Sequence, residues 1–199
     1  TGASDISEIK YALKILTMYG VKDIVIMHCI LNYPTKDIEA NLRMIKILKE
    51  KFPNNIIGYS DHTLPSNDIS PCSIAYSLGA RVIEKHFTLD KKKKGNDHYH
   101  SMDINDAKQI LTQIEKVRKF VGVSNIKSFI PSEVKSRKYA RRSIVAKIDI
   151  NKGDKFSTTN IITKRPGNGL SPINWLKTIG KKSRNKIKAD KQIRIKDIF

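Results

Sequence analysis

The chain is 199 residues long, with 39% hydrophobic and 29% charged residues, which suits one or two packed soluble domains. Its longest apolar runs, such as Ile24 to Met27, are far too short to span a bilayer, and no secretory signal pattern opens it. The formal net charge is +19, but the lysines are scattered, Ile and Asn are abundant too, and only Lys91 to Lys94 forms a run. That pattern reads as coding bias rather than a nucleic-acid face, while a pull on small anionic substrates stays open.

Asp5 followed by Glu8 is a helix-start signature. Ile6, Ile9, Leu13 and Leu16 continue at helical spacing, and Gly20 stops the helix. Asp23 to His28 is an apolar run, as in a strand buried on both faces. Leu42, Ile45, Leu48 and Phe52 give a second helix, broken by Pro53-Asn54-Asn55. Ile56 to Ser60 is the next strand, Ile69 to Leu78 a helix ending at Gly79, and Arg81 to His86 a third strand. Ile104 to Val121 makes a long amphipathic helix closed by Gly122. Alternating strands and helices imply a parallel sheet with crossover helices. An open doubly wound sheet and part of a barrel both fit, since a whole (β/α)8 barrel needs ~250 residues. Thr1 to Ser4 runs straight into the first helix without an initiator Met, which reads as a cut rather than a natural start.

The texture changes after Ser124. Ile144 to Ile150 alternates, Asn151 to Asp154 is a turn, and Phe156 to Lys164 is extended. Ser171-Pro172 reads as an N-cap with proline in the first turn of a short helix ending at Gly180. Ile187 to Ile198 reads as short strands. The expected organisation is residues 1–123 as the α/β part, 124–138 as a linker with a boundary near Pro131, and 139–199 as a compact α+β unit. A unit of about 60 residues is marginal by itself and is expected to dock on something.

His62 follows one strand and His86 ends the next. Strand C-termini line the active site in parallel α/β folds, and neighbouring strands lie about 4.8 Å apart. The two imidazoles can therefore reach one divalent ion, which would polarise a carbonyl; two unrelated histidines fit the spacing as well. Cys29 and Cys72 give neither a disulfide framework nor metal-ligand spacing and read as small buried thiols in a reducing cytoplasm.

Four segments carry a resemblance: Tyr59-Ser-Asp-His-Thr63, Ile83-Glu-Lys-His-Phe-Thr88, His28-Cys29 followed by Tyr33-Pro34, and Lys164-Arg-Pro-Gly-Asn-Gly169. In order and spacing the chain resembles the C-terminal part of the sialic acid (N-acetylneuraminate) synthase family, and Thr1-Gly2 resembles a strand-to-loop Thr-Gly there. The resemblance implies the last part of a TIM barrel followed by a small antifreeze-like (SAF, β-clip) domain. It implies condensation of phosphoenolpyruvate with an N-acetylated aldose, giving a nonulosonic acid and phosphate, with Mn2+ or Mg2+ at the sugar aldehyde. His62 and His86 match the family's metal ligands, Ser60 a phosphate contact, Tyr33 and Asp97 sugar contacts. Arg165 matches an arginine that reaches the partner subunit's barrel and holds the N-acetyl group, which implies a domain-swapped homodimer. Asp61 and Glu84, beside the histidines, are either orienting groups or members of buried pairs.

Two departures stand out. Leu31 occupies a position that is often polar in the family, and Asn32 in a strand would face the other way. His98 and His100 either read another sugar or are ordinary loop residues. The family's catalytic glutamate and substrate lysines would precede Thr1, so the isolated chain is expected to lack synthase activity. A carbohydrate-binding accessory module and a basic nucleic-acid binder are the alternative readings; the leading one expects neither nucleic acid nor membrane as partner.

Overall fold

The computed structural model describes all 199 residues, which divide into two compact units, Thr1–Val123 and Ser124–Phe199. In the first, helix α1 (Ile6–Met18) starts where Asp5 caps the backbone N–H groups of Ser7 and Glu8 while Glu8 returns a bond to the Asp5 N–H. Strand β1 (Val25–Cys29), helix α2 (Met44–Lys51), strand β2 (Ile56–Asp61), helix α3 (Pro71–Leu78), strand β3 (Val82–Lys85) and helix α4 (Ile104–Val121) follow. Helix α3 opens with Ser70 as cap and Pro71 in its first turn, and Gly79 ends it in the left-handed region.

The strands form a parallel sheet in the order β1-β2-β3. The register pairs Cys29 with Ser60 and Ser60 with Glu84, and sets Asp61 beside Lys85. Because side chains alternate across a strand, these rows point to opposite faces. Ile26, Ile57 and Tyr59 face the helices and join Ile9, Ile45, Leu48, Phe52, Ala75 and Ile110 in one core. The other face is open: Val25, Ile56 and Val82 are 37%, 54% and 39% exposed. The expectation that β1 is buried on both faces is therefore corrected. An apolar row opposite the helices is what the interior wall of a (β/α)8 barrel presents, and three strands give only an arc of one.

Gly58 sits at the centre of that arc, where the Met27 side chain lies across it; a Cβ there would also come within 2.8 Å of the Val82 carbonyl oxygen. On the helix side, Asp61 and Lys85 form a buried ion pair at 2.8 Å. Asp61 also accepts from the Tyr59 hydroxyl at 3.0 Å, the Thr63 N–H at 2.9 Å and the Cys72 thiol at 3.3 Å. Burial pushes the Asp61 carboxyl upward, but the Lys85 charge and hydrogen bond, with the Thr63 bond, outweigh it and hold it below its usual value. Asp61 is thus a member of a buried pair.

The second unit contains a 3-10 turn at Pro131–Glu133, helix α5 (Val134–Ala140), strand β4 (Ser143–Ala146), strand β5 (Ile161–Lys164) and the short helix α6 (Trp175–Thr178). β4 and β5 pair antiparallel, and Ile144, Ala146, Ile150, Phe156, Ile161, Ile187 and Ile193 form its core. Four details differ from the expected elements. The expected extended run Phe156 to Lys164 is interrupted by a turn at 158–160, so only Ile161–Lys164 is strand. The stretch 124–138 carries most of α5, whose residues are exposed and show no apolar stripe to announce a helix. Residues 187–198 contribute single bridges such as Ile150 with Ile187, not regular strands. Ser171 precedes the Pro172–Asn174 turn without a side-chain cap bond.

Two outcomes follow. Lys85→Met strands the Asp61 carboxylate in the core and is expected to cost the fold about 3 kcal/mol at pH 7 by urea denaturation. In the parent the lowered Asp61 pKa supports the fold above about pH 4 and is lost as pH falls through the folded value. In the variant, burial is no longer outweighed by Lys85 and raises that pKa, so stability instead falls as pH rises from 4 to 7; a parallel pH profile would contradict the pair. Gly58→Ala is expected to cost about 1–3 kcal/mol through overpacking against the Val82 carbonyl, read in the same experiment.

Candidate functional site

The site lies at the C-terminal ends of β2 and β3, on the sheet face opposite the helices. Continuing the alternation past Ser60 and Glu84 brings His62 and His86 onto that face. Their rings meet edge to face with centroids 5.3 Å apart. The His62 Nδ1 lies 2.7 Å from the Ile30 carbonyl oxygen, which fixes Nδ1 as the proton carrier and leaves Nε2 with a lone pair. Tyr33 roofs the pair, its ring centroid 4.1 Å from that of His62 and 5.6 Å from that of His86.

The loop after β3 completes the cluster. It returns so that the Thr88 N–H donates to the Met102 carbonyl at 2.9 Å and the Met102 N–H to the His86 carbonyl at 2.9 Å. Within it, the Thr88 hydroxyl and His98 Nδ1 bond at 2.8 Å, and the Tyr99 hydroxyl donates to the Tyr33 carbonyl at 3.3 Å. His98 is thereby a loop-holding residue. His100 is fully buried, 5.2 Å from the His86 ring and 5.8 Å from that of Tyr33. Burial, with His86 beside it, holds its pKa below the ordinary imidazole value. Ligand atoms of His86, Asp97 and His100 all lie within 4.8 Å of one another.

Ser60 is buried, and its hydroxyl donates to Glu84 Oε1 at 2.7 Å. An anion at Ser60 would have to take that hydroxyl from a carboxylate. Cys29 lies on the same face, its Sγ 3.9 Å from His62 Nδ1, whereas Cys72 is buried on the helix side, its thiol pushed up to about 12 by burial and Asp61. His28 also faces the helices, within 2.9 Å of the Ala40 carbonyl through Nε2, and burial lowers its pKa. Leu31 is exposed and, with Asn32, lies beyond the end of β1, so strand alternation does not decide where Asn32 points.

The structure thus brings His62, His86, Tyr33 and Asp97 together, with Ser60 on the same face one step back along β2. Arg165 belongs to the second unit, where its Nε donates to the Ala140 carbonyl at 2.8 Å. There it lines a concavity of about 700 Å³ with Lys164, Asp190, Gln192 and Arg194. Sequence reasoning left His100 undecided; its signal was the Asp97-His98-Tyr99-His100 spacing, which places two imidazoles and a carboxylate in four residues.

The donor set fits a divalent cation. Imidazole nitrogen and carboxylate oxygen are ordinary ligands of Mn2+, Co2+ and Zn2+, His62 keeps Nε2 free, and neither His100 nitrogen has a protein partner. No helix is long and apolar enough to cross a membrane.

Residues 1–126 match the NeuB family and residues 141–198 the SAF domain. An N,N'-diacetyllegionaminic acid synthase from Campylobacter jejuni is 41% identical over 196 residues, covering 98% of this chain and 57% of that protein. An uncharacterized protein from Methanocaldococcus jannaschii is 46% identical over 192 residues, covering 96% of this chain and 54% of that one. Among solved structures, a spore coat polysaccharide biosynthesis protein E from Chromobacterium violaceum aligns with a TM-score of 0.78 at 25% identity, over 100% of this chain and 59% of its own. The chain spans about half the length of the curated relatives it matches. The fold is α/β, part of a TIM barrel followed by a small α+β SAF unit, and the chain belongs to the NeuB family.

Proposed function

We propose that this chain forms the sugar- and cation-binding part of a synthase that condenses phosphoenolpyruvate with an N-acetylated aldose, N-acetylmannosamine or a relative, to give a sialic-acid-like nonulosonic acid and phosphate. The observation that carries the reading is the convergence of His62 and His86 from adjacent strand ends under the Tyr33 ring. The similarity to a legionaminic acid synthase supports the substrate class.

In this reading His62 and His86 hold the cation, Mn2+ or Mg2+. When bound there, the cation supplies Lewis-acid polarisation of the sugar aldehyde. The bond from His62 Nδ1 to Ile30 aims Nε2 at the open face before any ligand arrives, which lowers the cost of organising the site. Tyr33, about half exposed, offers an aromatic wall to the sugar. Asp97 accepts from sugar hydroxyls. Ser60 donates its hydroxyl to the phosphate in exchange for its bond to Glu84. The net charge of +19 draws in the anionic substrate. Arg165, as a planar donor fork, holds the N-acetyl group across a domain-swapped homodimer. The catalytic base and the substrate lysines come from the barrel half that precedes Thr1. The enzyme works in the cytoplasm on small molecules, with neither nucleic acid nor membrane as partner.

The test measures phosphate released from phosphoenolpyruvate with Mn2+ and a panel of N-acetylated six-carbon aldoses, using the protein extended N-terminally to the length of its relatives. Release with one sugar, reduced at least 100-fold in His86→Ala, is the expected result; no release from a folded protein with any sugar would contradict the reading. The 199-residue chain alone is expected to be inactive, and turnover by it would remove the need for a base outside it. In the extended protein, Arg165→Lys is expected to raise the sugar KM at least tenfold while the KM for phosphoenolpyruvate stays within twofold, because an ammonium cannot reproduce the guanidinium fork.

A further inference from the structure

His100 is the one buried imidazole whose ring nitrogens both lack a partner: its side chain is 1% exposed, yet neither Nδ1 nor Nε2 has a hydrogen bond. Of the others, His86 is only partly buried and three are engaged. His28 is bonded to the Ala40 carbonyl, His62 to Ile30 and His98 to the Thr88 hydroxyl. A buried polar group left without a partner is costly and calls for a ligand. His100 Nε2 is 3.9 Å from Asp97 Oδ1. That is too long for a hydrogen bond but within the span of two ligands on one ion, each bound at about 2.1 Å and so at most about 4.2 Å apart. The third member of the group, His86, faces His100 across a ring distance of 5.2 Å.

We propose that His100 and Asp97 are metal ligands in this protein, adding a third imidazole and a carboxylate to the His62 and His86 pair at one divalent transition-metal ion. The inference rests on the reading that the ends of β2 and β3 bind a cation, and it goes beyond the His62 and His86 pair. It makes Asp97 a ligand first and a sugar contact second. It also favours Mn2+, Co2+ or Zn2+ over Mg2+, because imidazole nitrogen is a poor donor for magnesium. His100 enters from the loop after β3, which closes through the backbone bonds between Thr88, Met102 and His86.

The probe is Co2+, added to chelator-treated protein and followed by calorimetry and visible absorption, with folding checked by circular dichroism. One Co2+ per chain is expected, with affinity falling at least tenfold in His100→Phe and in Asp97→Asn. Anomalous diffraction from Co2+-loaded parent protein reads the same point without a variant, and is expected to place the ion at bonding distance from a His100 nitrogen. Co2+ held by His62 and His86, with His100→Phe folded and undiminished, would overturn the inference while leaving the proposed function standing. Absence of Co2+ binding would also overturn it, and the phosphate-release assay would then decide the function separately.

Discussion

Parallel pairing of β2 with β3 is the constraint on which the chemistry depends. The register sets Ser60 against Glu84 and Asp61 against Lys85, and strand geometry sends those two rows to opposite faces. One face becomes a sealed structural pair, with Asp61 and Lys85 buried among Tyr59, Thr63 and Cys72. The other becomes a polar edge leading to His62 and His86. A slip of one residue would exchange the two, placing imidazoles among the helices and a buried lysine on the open face. The ion pair therefore has a consequence beyond stability: it gives the strand ends a reason to stop in this register.

The open face carries the second part of the account. Its apolar residues Val25, Ile56 and Val82 lie below the histidines and have no layer over them. A barrel interior is built this way, with a packed floor beneath a polar rim at the strand C-termini. The family match and the coverage of about half of each relative agree with an arc of that barrel.

Much of this was legible in the sequence. The cap at Asp5, the stop at Gly79, and the switch between apolar runs and helical spacing place the helices and strands of the first unit because local signals and tertiary packing agree there. His62 and His86 were legible for the same reason, since each follows a clear strand. What was not legible depended on geometry that no local signal encodes. Helix α5 is exposed throughout and lacks periodicity. The segment 187–198 bridges to distant residues rather than forming regular strands. Asp61 was decided by the register that sets it beside Lys85, and the place of His100 by a loop that folds back from Thr88 to Met102.

The central claim is that the imidazoles gathered under Tyr33 bind a cation while the remaining histidines serve the fold. The most direct measurement is the ring 15N spectrum of histidine-labelled protein during titration with Zn2+. The account predicts that His62, His86 and His100 move to the shifts of coordinated nitrogen while His28 and His98, held by Ala40 and Thr88, stay where they were. A titration that moves His28 or His98, or leaves the cluster unchanged, would contradict it.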